Sequence, residues 1–479
     1  MTMRARLSEL FAVDVRALAV FRMALGTLLL VDLLTRALDL EAHYTDRGVL
    51  PARMLYARWW EPGYWSVHLL DGGLAWQAGL FAVAAGLAVA LAVGFHTRWV
   101  ALGSWVLLCS LHTRQPIVLQ SGDTLLRMLL FWGLFLPLGS VWSVDRWRRR
   151  ADPAPVTRVM WLGTVALLLQ TCLVYWFIVL IRLSTPSWLN GGALYWALQV
   201  DAYVLPLGRW LAQVPALLPP LTTAVMLVEG LGPFLAFVPW RTDRFRLATV
   251  ALFVAMHLAF GATLSIGLFW AISITSWLVF LPTSFFDAVE RRLPSLTTGV
   301  QPGCSGSPSV VATAFVGVCL AMVLAWNVRS LEIHHPQLQV TRYVPNAWNV
   351  APQLLRLDQY WAMYSPPPRT DGFVIAEATL DDGTMVDLLT GGPVDRSAAD
   401  IAGHYPRQRW RKFLFQLATP RMALARPGLA EHLRRRWDED HPSGPKVLRL
   451  RLIWMMQRSR RGPPEPMTER VLGDYPSAP

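Results

Sequence analysis

Arg182 closes an apolar helix that the sequence predicts over residues 156–181. Pro186 stops that helix, because proline lacks the N–H and clashes with the preceding turn. Trp188 follows, apolar in body and polar at its tip, and Asn190-Gly191-Gly192 lets the backbone turn. A guanidinium at such an edge has two readings. It grips a carboxylate, bicarbonate or quinone oxygen through its planar fork, or it snorkels to an interface as helix-end arginines do. Glu229 and His257 fall inside two later apolar stretches. A charge inside such a stretch costs ~2.5–3.5 kcal/mol on insertion scales and often serves function. Glu229 reads as a neutral carboxylic acid or, preferred, as the partner of an arginine on another helix. His257 reads as a hydrogen-bonded structural histidine or as a proton carrier. Asp123 and Arg127 stand four apart, either as a simple helical pair or as members of a site. His112 reads as an interfacial residue. The candidate catalytic groups are therefore Arg182, His257, Glu229 and Asp123. The candidate substrate-binding groups are Trp188, Asn190, Arg127 and His112. No zinc spacing, phosphate-binding glycine loop or nucleophile elbow occurs, so no metal ligands are predicted.

The elements that must hold these residues are apolar helices. Of 479 residues, 54% are hydrophobic and 16% charged, with a mean hydropathy of +0.35. Runs approaching ~20 apolar residues span ~30 Å of hydrocarbon, so the chain reads as a polytopic membrane protein. The first run is too long for a removable signal peptide and reads as an anchor. Net charge is +12. Of the 44 basic residues only Lys412 and Lys446 are lysines, and the other 42 are arginines. That bias points to GC-rich, bacterial coding. It also leaves the first 411 residues without a side-chain amine, and arginine does not serve as a general base. The arginines are dispersed, which favours positive-inside anchoring and anionic lipid contact over nucleic acid. The four cysteines form no CxxC or metal spacing.

Nine spans are predicted, at about 17–38, 74–95, 99–113, 124–142, 156–181, 219–239, 247–262, 264–286 and 309–327. Residues 184–218 read as interfacial or re-entrant. Arginine-rich ends fall in alternate loops, with Asp145-Arg-Trp-Arg-Arg-Arg150 the strongest. By the positive-inside rule the amino terminus is then cytoplasmic and everything after Asn327 lies outside. Arg22 and Asp32 are ten residues apart, too far to pair along one helix, so inter-helix ion pairs are expected for them. Residues 328–460 change character. Phe373–Leu380, an Asp-Asp-Gly turn and Thr384–Leu389 read as a β-hairpin. Residues 407–417 and 427–437 read as helices and 447–454 as a strand. The expected architecture is an all-α membrane domain over 1–327, a small extramembrane α+β domain over 328–460, and a disordered tail over 461–479.

Several stretches together resemble the vitamin K-dependent gamma-carboxylase family and its bacterial relatives, the HTTM (horizontally transferred transmembrane) proteins. They are Leu18-Ala-Val-Phe-Arg22, Trp142-Ser-Val-Asp145, Arg182-Leu followed by Trp188-Leu-Asn-Gly191, and His257 followed by Leu264-Ser-Ile-Gly-Leu-Phe269. They occur in the family's order over roughly the first 290 residues. Gln359-Tyr-Trp-Ala-Met-Tyr-Ser-Pro366 and the Asp-Gly hairpin look like the tails of bacterial HTTM proteins. The resemblance implies chemistry at the outer membrane face. In the carboxylases a lysine deprotonates reduced vitamin K. Oxygen then turns the quinol into a base strong enough to take a proton from a peptide glutamate, so that CO2 can add. His257 matches a family histidine. The family's lysine corresponds to Arg182, and the histidine of its Asn-Asn-His stretch falls near Ser121-Gly122-Asp123, so the chain departs from the pattern at both. The expectation is a bacterial plasma-membrane protein, carboxylase-like but not a glutamate carboxylase. It would direct a quinol- or peptide-modifying reaction at the outer face, with reduced vitamin K or menaquinol as cofactor and an exported peptide or protein as partner. The alternative is a non-catalytic maturation, immunity or assembly factor. A transporter is a third reading, but no inverted repeat is evident.

Overall fold

The computed structural model describes residues 3–306, 308–397, 401–405, 407–460 and 465–476. Its principal helices are α1 (Val15–Ala37), α2 (Leu74–Val93), α3 (Thr97–Arg114), α4 (Ser121–Gly133), α5 (Leu162–Arg182), α6 (Leu218–Leu235), α7 (Thr242–Thr263), α8 (Phe269–Leu278), α9 (Thr283–Arg292) and α10 (Val310–Ser330). Among the described residues α1, α2, α5, α6, α7 and α10 are long and apolar enough to cross a membrane. Packing separates them. Over their most apolar windows α1 and α5 are 61% and 72% buried, so they form the centre. The corresponding shares for α2, α6, α7 and α10 are 22%, 28%, 28% and 22%, as helices facing a bilayer would show.

Three of the nine expected spans take other forms. α3 has 18 residues but is not apolar enough over that length. α4 has 13 residues, begun by a reciprocal cap in which Gln120 N–H donates to Asp123 (2.7 Å). It ends at Gly133, well short of the expected 142. The stretch predicted as the eighth span breaks between α8 and α9, whose axes differ by 94°. The fifth helix starts six residues later than predicted, because Val156–Val159 is a strand (β2) instead. It pairs antiparallel with Val13–Asp14 (β1) and parallel with Gln301–Ser305 (β3), which lies in the Pro-, Gly- and Ser-rich stretch 294–308 that the sequence reads as a linker. Asp14 then caps α1 by accepting from Arg16 N–H at 2.8 Å. At Gly26 the backbones of α1 and α2 approach closely. A Cβ there would lie 2.6 Å from Ala92 N, so only glycine fits.

The C-terminal unit is α+β, as expected. Its sheet has the order β5-β4-β6-β7, antiparallel throughout, from β4 (Thr370–Leu380), β5 (Met385–Asp387), β6 (Val447–Arg458) and β7 (Thr468–Pro476). β7 replaces part of the tail predicted to be disordered. Its Leu472 and Tyr475 contribute apolar surface to the sheet's core, which outweighs the Pro- and Arg-rich composition around them. Of the rest of that tail, residues 461–464 and 477–479 lie outside the described residues. Two helices, α11 (Gln408–Leu417) and α12 (Arg426–Asp440), pack on the sheet. The connecting segment 331–366 threads back through the helical region and buries Leu357 and Trp361 in its core.

Candidate functional site

A cavity of about 810 Å³ opens along the seam between the helices and the C-terminal unit. α5, α6 and α7 form one wall, the start of α4 another, and the connecting segment and α11 close it. The walls are mainly apolar, with a few convergent polar groups, the usual make-up of a small-molecule site.

Four of the eight candidate residues line it: Arg182, Glu229, His257 and Trp188. Arg182 donates from Nη1 to Glu229 Oε2, an ion pair between α5 and α6. The partner reading of Glu229 is thus the one the geometry takes. The guanidinium lies 3.7 Å from the ring centroid of Trp188, within cation–π range. Trp188 is fixed in turn by donating Nε1–H to the Tyr364 carbonyl (2.7 Å). Across the cavity His257 Nε2 meets the Tyr175 hydroxyl at 2.7 Å, and that hydroxyl accepts from Trp277 Nε1 at 3.0 Å. The hydroxyl oxygen has a second lone pair, so it can either give its proton to Nε2 or accept one from it. Nδ1 of His257 has no partner among the described residues.

The other four candidates lie elsewhere. Asp123 and Arg127 are not a pair. Asp123 belongs to a four-residue ionic cluster. It receives Arg36 (2.6 Å) and both terminal nitrogens of Arg409 (2.8 Å each). Asp32 receives Arg36 (2.7 Å) and Arg409 (2.7 Å). Asp32 therefore pairs with a residue of its own helix and with one far along the chain. Arg409 comes from α11, so the cluster fastens the C-terminal unit onto α1 and α4. Burial and the adjacent Arg36 push the Arg409 guanidinium down, but Asp123 and Asp32 outweigh them and raise it. Arg127 instead pairs with Asp358 of the connecting segment (3.3 Å). Arg127 and Arg356 hold the Asp358 carboxyl below the usual range in spite of its burial. Arg22, expected in an ion pair, donates to the Trp142 carbonyl (2.6 Å). His112 is fully buried and neither ring nitrogen has a partner among the described residues, so it is a packing residue and not an interfacial one. Asn190 is exposed and accepts from Gly192 N–H (3.1 Å), which makes it a turn former.

Two cavity groups escaped the sequence reading. Tyr175 lies about two turns before Arg182 in a run of aromatic and aliphatic residues, with nothing in the pattern to mark it. Lys412, on α11, lines the cavity from the C-terminal side. Its rarity as one of two lysines was the available signal. Burial pushes its amine below the ordinary lysine range, with Asp123 opposing.

No family model, curated protein or solved structure matches this chain. The chemistry must therefore be argued from the cavity itself. Arg182 is neutralised by Glu229 and cannot serve as a base. His257 with Tyr175 can pass a proton, and Lys412 is the one lysine on the walls.

Proposed function

We propose that this chain is a bacterial plasma-membrane protein, carboxylase-like in the HTTM manner, that binds a reduced quinone or a similar ring-bearing lipid in the seam cavity. There it directs a modification of that molecule or of an exported peptide. The carrying observation is the apolar 810 Å³ cavity into which proton-handling and cationic side chains converge. Its volume and walls fit a ring head with an isoprenoid body. A bound quinol would supply reducing equivalents. Trp188 and the Arg182–Glu229 pair would orient the head group, while His257 and Tyr175 would hold or move a proton at its oxygen. The topology of this reading has nine crossings, with α3, α4 and the bent α8–α9 pair counted, the amino terminus cytoplasmic and the C-terminal unit outside. It is supported by the three-stranded sheet, which gathers residues near 13, 156 and 301 at one end, the end bearing the arginine-rich loops. Glutamate carboxylation of the family's kind is not part of the proposal, because Arg182 occupies the place of the family's lysine.

The test uses the purified chain in nanodiscs with menaquinol or reduced vitamin K, oxygen and glutamate peptides. Mass spectrometry follows bound quinol, quinone epoxide and carboxylated peptide, with Arg182→Lys run beside the native chain. Saturable quinol binding without carboxylated peptide is expected. Carboxylated peptide from the native chain would restore the carboxylase reading. Absence of quinol binding would overturn the proposal and leave the binding-factor alternative.

A further inference from the structure

The first part of the connecting segment, residues 331–354, takes no part in the cavity wall. It is a chain of short helical turns, and it is apolar where it is exposed. Ile333 is 69% exposed and Tyr343 77%, with Leu338, Val350 and Leu354 also turned outward. Of the 25 residues from Leu331 to Leu355 only Glu332 and Arg342 carry a formal charge, against 16% for the whole chain. The Glu332 carboxylate accepts from Thr341 N–H (2.8 Å), so it is spent inside the segment. An outward segment bathed in water would carry more charge than the chain average, not less.

Two helix ends set the level of this segment. His335 donates from Nε2 to the carbonyl of Leu180, in the last turn of α5 (2.8 Å). Arg329, in the last turn of α10, donates to Asn346 and Asn349. The turns at Val340–Arg342 and Val350–Leu354 pack on α10 itself. That helix turns Phe315, Val318 and Val328 outward along its length. Its apolar outer surface therefore continues into the segment that follows it. A second stretch joins there. Trp65 donates Nε1–H to the Leu354 carbonyl (2.8 Å). Gly63, at φ +91°, passes so close that a Cβ would lie 2.6 Å from the Val350 carbonyl oxygen. This contact brings up a ladder of Tyr56, Trp60 and Tyr64, with successive ring centroids 4.9 and 6.3 Å apart.

We propose that residues 331–354 and the Tyr56–Trp60–Tyr64 ladder form a collar seated in the lipid surface, at the boundary of head groups and acyl chains around the ends of α5 and α10. Tyrosine and tryptophan join an apolar body to a polar tip, which suits that boundary. Arg342, beside Tyr343, lays its stem along apolar surface and keeps its guanidinium among the head groups. The collar lies on the membrane where the helices cross it. It is independent of what the seam cavity binds, and no ligand enters its test.

The full-length chain carries Cys304→Ser, which removes the exposed cysteine, while Cys109, Cys172 and Cys319 are buried. One further cysteine at a time is introduced and spin-labelled, and the protein is placed in phosphatidylcholine–phosphatidylglycerol nanodiscs. The positions are Leu338→Cys, Tyr343→Cys and Tyr56→Cys, with Val318→Cys on α10 as the reference within the bilayer. All four side chains are exposed, so the fold tolerates the labels. Access by oxygen, which enters lipid, is compared with access by a water-soluble nickel chelate. The labels at 338 and 343 are expected to favour oxygen and to lie ~5–10 Å inside the lipid surface, shallower than the label at 318. Preference for the nickel chelate at these two positions overturns the proposal, because the segment then faces water. Low access by both reagents overturns it as well, because protein then covers the segment, and spin–spin broadening identifies that protein as a second copy. Oxygen preference at position 56 supports the ladder's place in the collar, and nickel preference there overturns it.

Discussion

The ionic cluster at Asp32, Arg36, Asp123 and Arg409 and the cavity at Arg182, Glu229, His257 and Lys412 both bury charge at the same seam, yet they are built oppositely. The cluster is balanced and saturated. Two arginines meet two aspartates, Tyr44 accepts a further bond from Arg36 (2.8 Å), and the Val118 carbonyl takes another from Arg409 (3.0 Å). Among the described residues none of the four has a buried polar atom left without a partner. The cavity keeps space, a partnerless imidazole nitrogen and an unpaired amine. Buried charge alone therefore does not mark a site. A charge cluster that has satisfied itself fastens one part of the chain to another, whereas unspent polar groups around open volume are equipped to bind.

The largest expected effect comes from breaking the fastening. Arg409→Leu leaves Asp32 and Asp123 facing each other with only Arg36 between them. Removing one partner of a buried ionic network costs about 3–5 kcal/mol. Thermal unfolding should fall steeply, and limited proteolysis should cut the C-terminal unit from the helices. An unchanged proteolytic pattern would mean that apolar contacts, such as those of Leu50 and Val118 with the core of the C-terminal unit, hold the two parts together unaided. Next comes the cavity pair. Arg182→Met strands Glu229 beside open volume that water can enter, so a smaller loss of about 2 kcal/mol is expected. The double change Arg182→Met with Glu229→Met should recover most of it, because an apolar pair replaces a buried ion pair at little cost. A double variant as unstable as the single one would show that the pair braces α5 against α6 by geometry and not by charge.

The comparison also explains what could be read in advance. The apolar helices, the β-hairpin at 373–389 and the strand from Val447 announce themselves through hydrophobic periodicity, which depends only on neighbours in sequence. So did the unusual character of Arg182, Glu229 and His257, since charge in an apolar run is conspicuous. The pairing of charges was not legible. Asp123 and Arg127 have ideal helical spacing, but Arg409 reaches Asp123 from 286 residues away and takes its place. Lys412 was invisible as a cavity residue for the same reason: its helix reads as part of a separate soluble domain until the domain is folded onto the helices. The short α4 and the break before α9 were missed because an apolar run shows what can be buried, not where the backbone bends.

A smaller effect should separate the two regions by pH. His43 is buried against Trp410 with ring centroids 4.8 Å apart, and neither of its nitrogens has a partner among the described residues. Burial, with Arg409 and other nearby cations, pushes its pKa down to about 3. A histidine with a depressed folded pKa binds fewer protons folded than unfolded. Its stability contribution is whole above the unfolded value near 6.5 and is lost as pH falls from there toward 3. At pH 5.5 the loss is about 1.4 kcal/mol. Acidification should therefore loosen the docked C-terminal unit before it unfolds the helices. His43→Phe should remove that sensitivity, read as the pH dependence of proteolytic release. Equal acid sensitivity in the variant would assign it to the carboxylates of the cluster.

The smallest expected effect lies in the cavity and tests whether its polar groups are unspent by design. Tyr175→Phe removes one hydroxyl that accepts from Trp277 and meets His257. Loss of a neutral hydrogen bond costs about 1 kcal/mol, and the aromatic stack of Phe253 on Trp277 at 4.0 Å remains to hold α7 on α8. The fold should therefore survive with a slightly lower melting temperature. The imidazole, however, loses its hydrogen-bond partner, and neither ring nitrogen then has one among the described residues. If His257 serves a ligand, menaquinol binding should weaken far more than stability does. If both fall in proportion, His257 and Tyr175 are one more satisfied cluster, like the one at Asp123, and the proton-handling part of the cavity reduces to Lys412 alone.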